Sequence, residues 1–449
     1  MALFKKNQAV DDDDSEEIEY VLFQGATDGT EANLEENKKL VGAGLTPAKE
    51  LVSDALEEKS EMLKLQIDGK RAMASFFIDG MKRPGPRYPG PQANAVIQML
   101  KLLAGLDITV RDKPQRGGIK AEYRGFPFEL MVKTQPGKGA EQLTITMRNL
   151  KTKRVTPEDI GIPEVIKAKI RDTAASHKGV VLIVGPPESG VTTTALCALR
   201  CVDSYLYQCY ILGELYGREV LNVPVFKPEP GHSLDETIDR IKRNEGDVIY
   251  FDQFVDPETV KTATLAAENV CVVSEMYARD AADAIAKYAS IVGDPTLVAD
   301  HLACVVSHKL IRKLCPRCRE AFRPSPKLLA QVGLDEDTKT LYRKAPPPEP
   351  DPKTGEEPEP CRTCGGIGFR GRVAVFEMIE PTDAVKAAIV GGADPVAIRA
   401  AARKDKQITH QKDALRLVED GTTGLEELKR VFAPPGAGKK KAVRRRPPQ

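Results

Sequence analysis

Five apolar residues, Val180 to Val184, run straight into GPPESGVTTT (185–194), and the helix-compatible stretch TTALCALRCV follows. A strand turning through a glycine-rich loop into a helix is the setting of a phosphate-binding P-loop, G-x-x-x-x-G-K-[ST]. Gly185 and Gly190 allow a backbone nest whose N–H groups point at phosphate, and the positive end of the next helix adds to it. Thr192 stands where a Mg2+-binding hydroxyl belongs. Ser189, Gly190, Thr192 and Thr193 complete the candidate cradle, but the lysine position holds Val191. A charge-assisted hydrogen bond contributes roughly 1.5–3 kcal/mol, so this loss weakens triphosphate binding about tenfold or more unless another cation substitutes. Glu188 would repel phosphate if it pointed inward. The competing reading is a plain strand-to-helix turn.

Three further apolar runs, CYILGEL, DVIYFD and NVCVV, alternate with stretches of helical spacing. That alternation predicts an α/β domain with a largely parallel sheet and helices on both faces. DVIYFDQF (247–254) has the Walker B form, a strand ending in an acid, and Asp252 is placed to hold Mg2+ through water. The next residue is Gln253, where hydrolases of this type carry a glutamate. An amide orients water but cannot take its proton.

Cys315-Pro-Arg-Cys318 and Cys361-Arg-Thr-Cys364 each present two thiolates from a tight knuckle. Together they make a four-sulfur tetrahedral site suited to structural Zn2+, with no position left open for catalysis. Cysteines 197, 201, 209, 271 and 304 lie in apolar surroundings and are read as core fillers.

Before the P-loop, TPAKELVSDALEEKSEMLKL is read as a helix starting near Thr46 and Glu50. Strands with turns at Asp68-Gly69 and Asp79-Gly80 follow, then the helix NAVIQMLKLLAGLDI, then several short strands with glycine turns. The boundaries are therefore an acidic disordered tail (1–42), an N-terminal α+β domain (43–152), a second domain (153–433) and a basic disordered tail (434–449). A zinc subdomain (about 308–378) carries a flexible proline-rich excursion (324–360). The net charge of +1 gives no electrostatic reason to expect nucleic acid. No apolar run approaches the ~18–20 residues of a membrane span. The first residues contain no stretch of signal-peptide length, so the expected location is the cytoplasm.

Five segments in order resemble the ATPases of type II secretion and type IV pilus assembly: LLAGLDITVRDKPQRGG, KGVVLIVGPPESGVTTT, GDVIYFDQFVDPETVKTA, the two cysteine segments with their flanks, and RAAARKDKQITHQKDALRLVEDGTTGLEELKRV. The resemblance covers about residues 45–433. It implies a RecA-like second domain, ATP with Mg2+ bound between two domains, and a hexameric ring at the cytoplasmic face of the inner membrane that works on a membrane platform protein. It also implies that the acidic box is reduced to LGEL, keeping Glu214. The histidine of the family's STLHTND box is Tyr277 in SEMYARD, and the arginine after the Walker B glutamate is Val255. An arginine of the N-terminal domain aligns with Met131. Catalytic groups are replaced while scaffold features remain. The expectation is a pseudo-ATPase that is a structural or regulatory ring component, alone or in mixed rings with an intact paralogue. The alternatives are a working motor with a relocated cation, Lys133 or Arg148, and a scaffold or signalling module outside secretion.

Overall fold

The computed structural model describes residues 19–137, 140–152, 155–213, 215, 218–346, 354 and 359–433. The chain divides into two compact units, Met1–Lys153 and Arg154–Gln449.

The first unit begins with β1 (Leu22–Ala26), α1 (Lys38–Glu57) and the meander β2 (Met62–Asp68), β3 (Arg71–Ile78) and β4 (Met81–Pro89). Then come α2 (Gly90–Leu103), β5 (Gln115–Tyr123), β6 (Phe126–Pro136) and β7 (Glu141–Asn149). The seven strands form one antiparallel sheet in the order β1-β5-β6-β7-β2-β3-β4. Leu51, Val52 and Ala55 of α1 and Val96, Ile97 and Leu100 of α2 share a core with Leu63, Ile119, Val132 and Ile145 from the strands. Two expectations need correction. β1 lies inside the stretch read as a tail and pairs with β5. Helix α1 starts at Lys38, upstream of Thr46, and carries Pro47 inside it. Its extra turns are held by packing: a Cβ on Gly44 would lie 2.6 Å from the Ala95 carbonyl oxygen, so the two helices meet almost backbone to backbone. Residues 1–18 and 434–449, and with them most of both predicted tails, lie outside the described residues.

The second unit opens with α3 (Pro157–Ile160), α4 (Glu164–Ala175), β8 (Gly179–Gly185), α5 (Val191–Leu199) and β9 (Cys209–Leu212). It continues through α6 (Leu234–Arg243), β10 (Val248–Gln253), α7 (Pro257–Ala266), β11 (Cys271–Tyr277), α8 (Ala281–Val292), α9 (Pro295–His301) and β12 (Leu302–Leu314). The last elements are β13 (Arg319–Phe322), α10 (Pro326–Val332), β14 (Leu341–Lys344), β15 (Phe369–Ile379), α11 (Asp383–Val390), α12 (Pro395–Lys404), α13 (His410–Glu419) and α14 (Leu425–Phe432). The main sheet has the order β15-β12-β8-β11-β10-β9, parallel except for β15.

β8 is buried along its whole length, and its side chains alternate between two cores. Val180, Leu182 and Val184 join the core of α7, α8 and α9, whereas Val181 and Ile183 join that of α4 and α5. The period of two thus puts helices on both faces, which is why the run reads as continuously apolar. The excursion at 324–360 is not wholly irregular. It contains α10 and β14, and β14 pairs with β13. Leu329, Leu334 and Leu341 anchor it against Val418 of α13. Residues 347–353 and 355–358 of that stretch are outside the described residues.

Candidate functional site: the glycine loop and its carboxylates

The parallel order places the C-terminal ends of β8, β11 and β10 side by side, the end of such sheets where ligands bind. β8 delivers Gly185 to the loop. A Cβ there would lie 2.7 Å from Ser189 Oγ, so only glycine lets the loop close this tightly. The Ser189 hydroxyl donates to the Pro186 carbonyl oxygen at 2.6 Å. Gly190 caps α5 with φ +88°, a left-handed conformation that favours glycine. Glu188 adopts φ +65° and is exposed. From β12, His308 brings Nε2 to 3.0 Å from the Ser189 carbonyl oxygen. A carbonyl only accepts, so Nε2 carries the hydrogen. Burial keeps this imidazole neutral and pushes its pKa down to about 4.

Val191 is 3% exposed and packs into the core of α4 and α5. Thr192 and Thr193 are half-buried. The Thr192 hydroxyl donates to Glu275 Oε1 at 2.9 Å. Glu275, on β11, is 6% exposed, and its Oε2 has no hydrogen bond of ordinary geometry among the described residues. Burial raises the pKa of this carboxyl; the Thr192 hydroxyl, the Arg218 charge and the Tyr250 side chain oppose the rise, and Asp252 adds to it. Sequence reading passed over Glu275 as one letter of SEMYARD. Its signal was an acid in a largely apolar central strand.

Asp252 and Gln253, both half-buried, close β10. Gly213 passes so near Asp252 that a Cβ would meet the aspartate side chain at 3.0 Å. In the β10–β11 ladder, Gln253 is the partner of Glu275. Tyr277 is exposed at the end of β11. Asp280 caps α8 and accepts two hydrogen bonds from Arg399, at 2.9 and 3.0 Å, which is a structural role. Glu214 lies outside the described residues. Of the cations offered as replacements for the loop lysine, Lys133 and Arg148 sit on β6 and β7 of the first unit, and Arg148 pairs with Glu129 at 2.6 Å.

The four knuckle cysteines form a second cluster. Their sulfurs all lie within 4.8 Å of one another, with Cys315–Cys361 at 4.0 Å and Cys318–Cys364 at 3.6 Å. A tetrahedral zinc with bonds of about 2.3 Å has sulfur–sulfur edges of about 3.8 Å, so the set is compatible with a structural zinc ion. Backbone N–H groups of Cys364 and Thr363 pull the Cys361 thiol down to about 6, whereas burial and the neighbouring thiols push Cys318 up. The other five cysteines are buried in the core, as their surroundings predicted. Burial pushes the thiols of Cys197, Cys201, Cys209 and Cys304 up to about 12 and that of Cys271 upward as well.

A family model described as "Type II/IV secretion system protein" matches residues 43–430. The type IV pilus assembly ATPase PilB of Thermus thermophilus is 27% identical over 354 residues, which are 77% of this chain and 38% of that protein. Type II secretion system protein E of Dickeya dadantii is 27% identical over 342 residues, 76% of this chain and 66% of its own. PilB of Myxococcus xanthus is 26% identical over 350 residues, 76% of this chain and 59% of its own. The chain thus spans 38% to 66% of the length of these relatives. Among solved structures, the ATPase DotB of Legionella pneumophila superposes with a TM-score of 0.51 at 16% identity, over 85% of this chain and 94% of its own. DotB of Yersinia pseudotuberculosis gives 0.52 at 13% identity, over 85% and 92%. These two likenesses concern the fold. Among the described residues, no helix is long and apolar enough to cross a membrane.

Proposed function

The chain belongs to the type II/IV secretion system ATPase family, and from that premise we propose that it is a nucleotide-binding subunit that turns ATP over slowly or not at all. The observation that carries this reading is the pairing of a retained glycine turn and helix-start hydroxyl with missing reactive groups. Gly185, Gly190 and Thr192 keep the turn and the hydroxyl, whereas Val191 replaces the cation and Gln253 the base. Bound ATP would bring Mg2+, an electrophilic partner for its phosphates. The chain's own part would then be to bind and orient: loop N–H groups would donate to phosphate oxygens, and Thr192 with a nearby carboxylate would hold the cation. Gln253 can position a water and cannot accept its proton. Asp252, half-buried next to Gln253, would be a second acid available to the cation through water.

The four cysteines hold Zn2+ as a structural staple. The subunit works in a hexameric ring, homomeric or mixed with an active paralogue, on a membrane platform protein of a secretion or pilus apparatus, from the cytoplasmic side. No nucleic acid takes part. Kept scaffold and lost chemistry favour this ring role over a motor with relocated catalytic groups. The test is a titration of the full chain with a fluorescent ATP analogue and Mg2+. Saturable micromolar binding supports the reading. Absence of binding at millimolar ligand contradicts it and leaves the loop as a turn.

A further inference from the structure

We propose that Glu275, one strand away from the usual acid, is the carboxylate that holds the nucleotide's divalent cation together with the Thr192 hydroxyl. The inference rests on the nucleotide-binding reading above and assigns the site's metal-holding group.

Three observations converge on it. The first is donor chemistry. Thr192 Oγ1 and Glu275 Oε1 are 2.9 Å apart, both hard oxygen donors. Two adjacent ligands of an octahedral Mg2+ with bonds of about 2.1 Å lie about 3.0 Å apart. The cation can therefore take the place of the hydrogen bond with both oxygens almost where they stand, and the hydroxyl proton turns outward.

The second is an unspent acceptor. Glu275 is 6% exposed, and Oε2 has no hydrogen bond of ordinary geometry among the described residues, with only partial relief from the Tyr250 side chain. A buried acceptor left unmatched costs stability. If the side chain served only to receive the Thr192 proton, glutamine or threonine would do so without burying an acid. A carboxylate in this place is explained by a positive ligand. The Arg218 charge favours the ionised carboxylate and offsets part of the cost.

The third is register. Gln253 and Glu275 are direct partners in the β10–β11 ladder. The carboxylate that position 253 lacks thus stands at the paired position on β11, next to the strand that leads into the loop. The replacement conserves charge at the site while shifting it closer to α5. It keeps a metal ligand and restores no general base, so cation-dependent binding and absent turnover belong together.

The experiment measures ADP affinity of the full chain by fluorescence, with Mg2+ and with a chelator, and counts bound Mn2+ by the loss of its free EPR signal. In the wild type, the metal should tighten ADP by about tenfold, an ordinary size for coupling between two ligands. Glu275→Gln should bring that factor to about one, leave chelator-state affinity equal or tighter, and abolish the ADP-dependent Mn2+ signal. Thr192→Val should show the same loss, which keeps the test decisive if Glu275→Gln fails to fold. Gln253→Glu combined with Glu275→Gln should recover the metal effect, because the acid returns at the paired position. Full metal enhancement in a folded Glu275→Gln protein overturns the proposal. ADP binding that ignores metal in the wild type overturns it as well, while leaving the nucleotide reading intact. No ADP binding under either condition refutes the nucleotide reading itself.

Discussion

His308 Nε2 lies 3.0 Å from the Ser189 carbonyl oxygen and ties β12 to the glycine loop. The loop's shape is thus set by the protein's own contacts. Burial depresses the His308 pKa from 6.5 to about 4. Between those values the unfolded chain binds a proton that the folded chain refuses. Stability is complete above pH 6.5 and falls as pH drops toward 4, by on the order of 3 kcal/mol for this group. Urea midpoints at several pH values should show a shallower decline in His308→Asn than in the wild type. Parallel declines would contradict the assignment.

Glu427 of α14 is fully buried and receives hydrogen bonds from Arg312 of β12, at 3.0 and 2.7 Å from the guanidinium and 3.0 Å from the backbone N–H. Arg430 adds more. Burial alone would raise this carboxyl, but the Arg430 and Arg312 bonds outweigh it and hold it at about 2. Its contribution is present above the ordinary carboxylate range and is lost as pH falls toward 2. Glu427→Gln should cost about 2–4 kcal/mol, toward the low side for a broken buried pair because Arg430 is partly exposed to solvent. Denaturant melts at neutral pH check this, and a change within error contradicts it.

The cysteine cluster should bind one zinc per chain, measured by elemental analysis, and Cys364→Ser should lose it. The cluster's neighbours show where the damage will spread. Arg319, next to Cys318, donates to the Gly421 carbonyl oxygen at 2.6 Å, and the Lys344 backbone N–H donates to Glu426 at 3.0 Å. Chelation should therefore raise hydrogen exchange in α13 and α14 while α5 and β8 stay protected. Uniform exchange across the second unit would contradict a local staple.

Restoring the loop lysine alone should not restore catalysis. Val191 is 3% exposed in an apolar core, so Val191→Lys must drag an ammonium out of that core. The expected cost is about 1–3 kcal/mol. Because Gln253 still cannot take a proton, phosphate release should stay at the wild-type level. Measurable turnover in this single variant would show that the cation was the sole deficit.

Much of this was legible in the residues. An apolar run, two glycines and a small polar helix start suffice for β8, the loop and α5, because the signals are local. The cysteine pairs were legible because a knuckle is defined by its own spacing, even with β13, α10 and β14 between the pairs. β1 escaped notice because LFQGA is short and half polar, and only its ladder with β5 makes it a strand. Glu275 escaped for the same kind of reason. Its meaning lies in the register with Gln253 and the contact with Thr192, 83 residues away in sequence, which no local pattern encodes.

The most direct test of the central claim is phosphate release by the full chain under saturating ATP and Mg2+, followed through a single turnover with nucleotide binding monitored in the same sample. The account predicts bound nucleotide with no release above the rate of an Asp252→Ala, Glu275→Gln control. Sustained release that this double substitution abolishes would contradict it and establish the chain as a working ATPase.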